Sequence, residues 1–131
     1  MDHSSLIRAA REVRENAYAP YSGFSVGAAL LCEDGSVFSG CNVENLSFGL
    51  TQCAERVALG SAVAAGNRKI RCLAIIADSE EVLSPCGACR QVLAEFDPAL
   101  TILAANLHGK VEEFSLGVLL PRAAKGILNK P

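Results

Sequence analysis

A chain of 131 residues, 50% hydrophobic and 20% charged, is long enough to bury a substantial core and too apolar for disorder. A net charge of −2 and a pI near 5.7 leave no basic footprint, so the expected partner is a small molecule and not a nucleic acid polymer or an anionic membrane. No apolar run approaches the ~20 residues that cross a bilayer, and six cysteines with no signal peptide read as reduced thiols in the cytoplasm.

Leu6, Ala10, Val13 and Ala17 recur at helical spacing with Arg8, Arg11, Arg14 and Glu15 between them. This is an amphipathic first helix opened by Asp2, Ser4 or Ser5, and its expected role is to cover one face of a sheet. Ala19-Pro20-Tyr21-Ser22-Gly23 turns the chain. Phe24 to Cys32 reads as a buried strand, Glu33-Asp34-Gly35-Ser36 as a tight turn, and Val37 to Cys41 as the second strand of a hairpin. A loop over Leu46 to Gln52 leads to an alanine-rich helix from Cys53 to Ala65, stopped by Gly66-Asn67.

Ile70 to Ala77 is almost wholly apolar, the pattern of an interior strand covered on both faces. A helix from Gly87 to Phe96, strands over Thr101 to Ala105 and Val111 to Phe114, and a short helix over Ser115 to Leu120 complete the order. That order predicts one domain over 1–131, an α/β layered fold with a mixed sheet of about five strands.

The chemistry is concentrated in Cys53-Ala54-Glu55-Arg56 and Pro85-Cys86-Gly87-Ala88-Cys89-Arg90. Three thiols suit a zinc ion that keeps its fourth position open, whereas a structural site takes four protein ligands. Cys86 and Cys89 alone would equally suit a redox pair or half a zinc ribbon. A thiol, a glutamate two residues on, and then P-C-x-x-C is the signature of zinc deaminases of nucleobases.

Both motifs fall at helix starts, where free N–H groups favour thiolates. Cys53 and Glu55 converge only if Cys53 lies at the cap, because mid-helix residues two apart face different ways. Glu55 then serves as the proton shuttle and Arg56 as the compensating charge beside the thiolates, although a surface salt bridge would also suit Arg56. Cys32, Cys41 and Cys72 read as small buried hydrophobes, and His3 and His108 as surface residues.

The segments A-P-Y-S-G-F-S-V-G-A-A-L, G-C-N-V-E-N, C-A-E-R and P-C-G-A-C-R-Q resemble the small zinc-dependent cytidine deaminases from end to end. The resemblance implies a three-layer α/β/α fold, a homotetramer with active sites at subunit contacts, and hydrolysis of cytidine or deoxycytidine to the uracil nucleoside and ammonia, a step of pyrimidine salvage. By position, Cys53, Cys86 and Cys89 would bind Zn2+, Glu55 would shuttle protons, and Asn42 and Glu44 would hold the ribose. Phe24 would pack on the base and Ala54 would meet the ring through its backbone. Read from the residues alone, Asn42 and Glu44 also suit a capped turn and Phe24 plain core packing.

Arg90 and Gln91 are expected to support the metal loop. Phe48 stands where the family usually has tyrosine, and Ala124 where it has an aromatic, so substrate range is open. Two rivals follow: a deaminase of a modified cytosine nucleoside or of an antibiotic such as blasticidin S, and a non-catalytic zinc-stabilised domain with a fourth ligand such as Cys41.

Overall fold

The computed structural model describes residues 2–123. Helix α1 (His3–Arg14) leads into strands β1 (Val26–Cys32) and β2 (Val37–Cys41), then α2 (Ala54–Ala64), β3 (Ile70–Ala77), α3 (Gly87–Ala94), β4 (Thr101–Asn106), β5 (Val111–Ser115) and α4 (Leu116–Leu119). The strands form one mixed sheet in the order β2-β1-β3-β4-β5, parallel only between β3 and β4. The expected five-strand α/β fold is present.

Alternation along β1 sorts its side chains to two faces. Ala28, Leu30 and Cys32 pack with Ala58, Leu59 and Ala62 of α2 and Leu93 of α3, whereas Ala29 and Leu31 pack with Leu6 and Ala10 of α1. The result is three layers, helix over sheet over helices. β3, central and buried on both faces, is the apolar run that the sequence implied. Two glycines allow the layers to close. A Cβ on Gly27 would lie 2.0 Å from the Ala10 carbonyl of α1, and one on Gly40 would lie 2.4 Å from the Ala58 nitrogen and 2.6 Å from the Ala54 carbonyl of α2.

Several boundaries differ from expectation for local reasons. α1 is capped by Asp2, whose Oδ1 accepts from the Ser5 N–H at 2.8 Å. It ends at Arg14, because the amides of Asn16 and Ala17 turn back to carbonyls only three residues earlier. Ala17 therefore lies past the helix. β1 starts at Val26, not Phe24, since the Phe24 carbonyl is taken by the Asn42 side chain at 2.8 Å and the Ser25 carbonyl by Arg14 at 3.0 Å. α3 stops at Ala94, where the Phe96 and Asp97 amides both close on Leu93, just ahead of Pro98. The loop before α2 carries a short 3-10 turn, Phe48–Leu50. Cys32 and Cys72 are buried as expected, but Cys41, at the end of β2, is partly exposed.

Candidate active site

Cys53 and Cys86 are the N-caps of α2 and α3, both in extended backbone with ψ of 152° and 168°. Cys53 at the cap is the condition under which Cys53 and Glu55 can face one point, and it is met. Cys89 follows in the first turn of α3 and is buried. The sulfurs of Cys53, Cys86 and Cys89 lie within 4.8 Å of one another. Tetrahedral zinc, with sulfur at about 2.3 Å, holds its sulfurs about 3.8 Å apart, so small side-chain movements suffice. Among the described residues no further His, Cys, Asp or Glu joins the cluster, Cys41 included. A soft, three-thiol donor set with a fourth position open fits zinc.

The charges around the sulfurs are arranged for thiolates. Hydrogen bonding with Cys89, aided by Arg56, brings the Cys53 thiol down to about 5. The Cys89 thiol, keeping its own proton in that hydrogen bond to Cys53 and further desolvated, is correspondingly raised. The Arg56 guanidinium reaches Cys53 Sγ at 3.5 Å and the Thr51 carbonyl at 3.3 Å, and its buried Nε has no hydrogen-bond partner. Arg56 is thus a cation placed on the sulfurs, not a surface ion pair. Glu55 is 6% exposed, and burial pushes its carboxyl up, with the Cys53 thiolate pushing the same way. A carboxyl raised in this manner is suited to passing a proton in both directions.

Cys53, Ala54, Glu55 and Cys86 open onto a cleft of ≈ 280 Å³ that Val26, Asn42, Thr51, Ile75, Leu83 and Ser84 complete. Beside it lies a shallower hollow of ≈ 400 Å³ lined by Tyr21, Ser22, Glu44, Phe48 and Thr51. Thr51 borders both. Asn42 is buried and holds the start of β1, its Oδ1 accepting from Val26 N–H at 2.9 Å and its Nδ2 donating to the Phe24 carbonyl. Glu44 accepts from the Tyr21 and Ser22 amides at 2.9 and 3.1 Å and from the Ser22 hydroxyl, which together hold its carboxyl below the usual range. Both residues therefore organise turns while bordering the two hollows. Phe24 is half-exposed and does not line the cleft.

A match to the family model for the cytidine and deoxycytidylate deaminase zinc-binding region covers residues 1–105, more than half of the chain. The chain belongs to this deaminase family. Its similarity to a cytidine deaminase of Halalkalibacterium halodurans is 52% identity over 124 residues, 94% of each chain. Its similarity to that of Sporosarcina psychrophila is 50% over 124 residues, covering 94% of this chain and 91% of the other. The crystal structure of cytidine deaminase from Burkholderia pseudomallei superposes with a TM-score of 0.90 at 52% identity, covering 92% of this chain and 98% of that one.

Within this deaminase fold, Arg90 supports the metal loop as expected, donating to the Pro85 carbonyl at 2.7 Å, the Ser84 hydroxyl at 3.0 Å and the Leu119 carbonyl at 3.1 Å. Gln91 donates to the Ala123 carbonyl at 3.3 Å. Thr51, Leu83 and Ser84 were not singled out by sequence. Ser84 and Thr51 stand one and two residues ahead of the zinc motifs, a position that could have marked them, whereas Leu83 carries no signal of its own. Ala124, and with it the expected missing aromatic, lies outside the described residues. His3 and His108 are exposed.

Proposed function

We propose that the chain is a zinc-dependent hydrolase converting cytidine or deoxycytidine to the uracil nucleoside and ammonia. The observation that carries this reading is the convergence of three thiols, with no fourth protein ligand among the described residues, at a cleft lined by Cys53, Cys86 and the buried carboxyl of Glu55. Cys53, Cys86 and Cys89 would hold the ion. Zinc, when bound, acidifies water and offsets the charge that develops on the attacking oxygen.

The remaining work falls to the chain. Glu55 takes a proton from the attacking water and delivers it to N3 of cytosine as the new C4–O bond forms. It then carries the second proton to the amino group, the C4–N bond breaks, and ammonia leaves with the uracil carbonyl in place. Arg56 keeps the Cys53 thiolate paired throughout. The N–H of Ala54, the first residue of α2, has no intrahelical acceptor and is assigned to the pyrimidine ring.

The ribose is assigned to Asn42 and Glu44, which border the adjoining hollows on either side of Thr51. Each keeps an acceptor lone pair beyond its turn contacts. Packing on the base is assigned to Phe24, which is exposed and stands outside the cleft lining, two residues before Val26. Tyr21 and Phe48 line the Glu44 hollow and are exposed, as are Leu46 and Leu50 of the same loop as Phe48. This apolar exposure supports a homotetramer in which a neighbouring copy closes the site. Among the described residues no helix is long and apolar enough to cross a membrane. Six free cysteines suit the reducing cytoplasm, where a role in pyrimidine salvage is proposed.

Cobalt substitution tests the open site: the absorption bands should shift on adding cytidine. Unchanged bands would favour a closed, non-catalytic zinc domain. A panel of cytidine, free cytosine, substituted cytosine nucleosides and blasticidin S would settle the substrate class.

A further inference from the structure

We propose that Asn106 is a positioning residue for the nucleoside cleft, acting through the segment that carries Leu83 and Ser84 to the cleft wall. This rests on the deaminase reading above. β3 and β4 run parallel with Ala77 opposite Asn106, so the chain leaving β3 passes beside the turn that joins β4 to β5. Residues 79–86 then reach α3 without forming helix or strand. A segment of that kind is fixed by whatever its polar groups bond to outside it.

Asn106 is 5% exposed, and both ends of its amide are used. Its Oδ1 accepts from the His108 and Lys110 backbone N–H groups, each at 2.9 Å, and its Nδ2 donates to the Glu80 carbonyl at 2.9 Å. One side chain thus folds the β4–β5 turn and ties it to the segment after β3. The same turn adds His108 Nε2 against Asp78 at 2.8 Å and Lys110 Nζ to Glu81 at 2.7 Å. Those outer pairs are exposed and individually weak, so the buried amide is the anchor.

Arg90 holds the far end of the segment at Ser84 and Pro85. Leu83 sits between the two anchors and Ser84 at the Arg90 anchor itself, and both line the cleft. Because Arg90 secures the thiol-bearing end, slackening the Asn106 end moves the cleft wall while Cys86, Cys89 and Glu55 stay in place. A wall contact is made in the ground state and the transition state alike, so its loss raises KM and leaves kcat.

Asn106→Asp isolates the link. Its carboxylate still accepts from the His108 and Lys110 amides, but it cannot donate to Glu80. Lys110→Glu, at an exposed position, repels Glu81 without touching the core. Steady-state kinetics on cytidine would be paired with zinc content per chain, thermal unfolding and equilibrium titration of cytidine. Wild-type turnover decides the deaminase reading by itself, and affinity by titration decides the role of Asn106 whichever way turnover falls.

The expected results are KM and Kd about fivefold higher for Asn106→Asp and about twofold higher for Lys110→Glu, with kcat within about twofold and zinc unchanged. If both variants keep KM and Kd within about 1.5-fold of wild type, the proposal is overturned. A joint fall of kcat, zinc content and melting temperature would overturn it too, by making Asn106 a general folding residue. Should Asn106→Asp fail to fold, Lys110→Glu decides on the same criteria.

Discussion

Asn42→Ala is the perturbation whose size follows most directly from the structure. The side chain makes two hydrogen bonds to the backbone at the start of β1, at 2.9 Å with Val26 N–H and 2.8 Å with the Phe24 carbonyl. Val26 is half-buried at the start of β1, paired with Ala77 of β3, so its stranded N–H cannot fully rehydrate, whereas the Phe24 carbonyl is near solvent. A stranded donor costs about 1–3 kcal/mol and the net loss of the second bond about 0.5–1.5 kcal/mol, giving about 2–4 kcal/mol for the substitution. For a chain of this size each kcal/mol lowers the melting temperature by about 3–6 °C, so a fall of roughly 6–24 °C is expected. Asn42→Asp keeps the acceptor for Val26 and loses only the donor, and should fall by about 3–6 °C. Thermal unfolding of zinc-loaded protein by circular dichroism reads both. Two variants melting within about 2 °C of wild type, or Asp melting below Ala, would refute the clamp. Kinetics add a second reading: if Asn42 also touches ribose, cytidine use falls more than any residual action on free cytosine, and equal losses would leave the clamp as its whole role.

Cys86→Ala with Cys89→Ala should bring bound zinc close to zero and lower stability with it, since metal binding is coupled to folding; zinc retained by the double variant would contradict the ligand assignment. Gly40→Ala places a Cβ 2.4 Å from the Ala58 nitrogen, so α2 must shift, carrying Cys53 and Glu55 with it. A loss of about 1–3 kcal/mol together with turnover is expected, and wild-type melting and turnover would contradict the close packing. Glu44 has a folded-state carboxyl held below the usual range, chiefly by the Ser22 hydroxyl. Its stabilisation is therefore complete above the unfolded value near ~4.3 and is lost as pH falls through the lower folded value. Denaturation at neutral pH and at about pH 3 should show wild type exceeding Glu44→Gln by more at neutral pH; a gap that widens in acid would reverse the sign.

Much of this arrangement was legible because short-range chemistry dictates it. The hairpin was marked by its turn residues, β3 by an unbroken apolar run, and the three thiols with Glu55 by spacing alone. The requirement that Cys53 stand at a helix cap followed from helical geometry and is met at ψ 152°. What escaped depends on neighbours distant in sequence. The start of β1 moved two residues because Asn42 and Arg14 take the carbonyls that a ladder would have used. Cys41 was expected to be buried, yet the sheet ends beside it and leaves it partly open. Leu83 reaches the cleft because the segment bearing it is tied to the β4–β5 turn, a link between Asn106 and Glu80 that no local pattern encodes. Asn42 and Glu44 carried both a turn reading and a ribose reading in the sequence, and the structure gives each of them turn contacts at the rim of the cleft.

The most direct test of the central claim is product formation by zinc-loaded wild type and Glu55→Gln, each incubated with cytidine while uridine and ammonia are quantified together. The account predicts equimolar uridine and ammonia from wild type. For the variant it predicts unchanged zinc content and a rate lower by at least ~10²–10⁴-fold, the range for a lost general acid–base. A variant within a few-fold of wild type would remove Glu55 from the chemistry. Wild-type protein that holds zinc, binds cytidine and releases no ammonia would contradict the account as a whole.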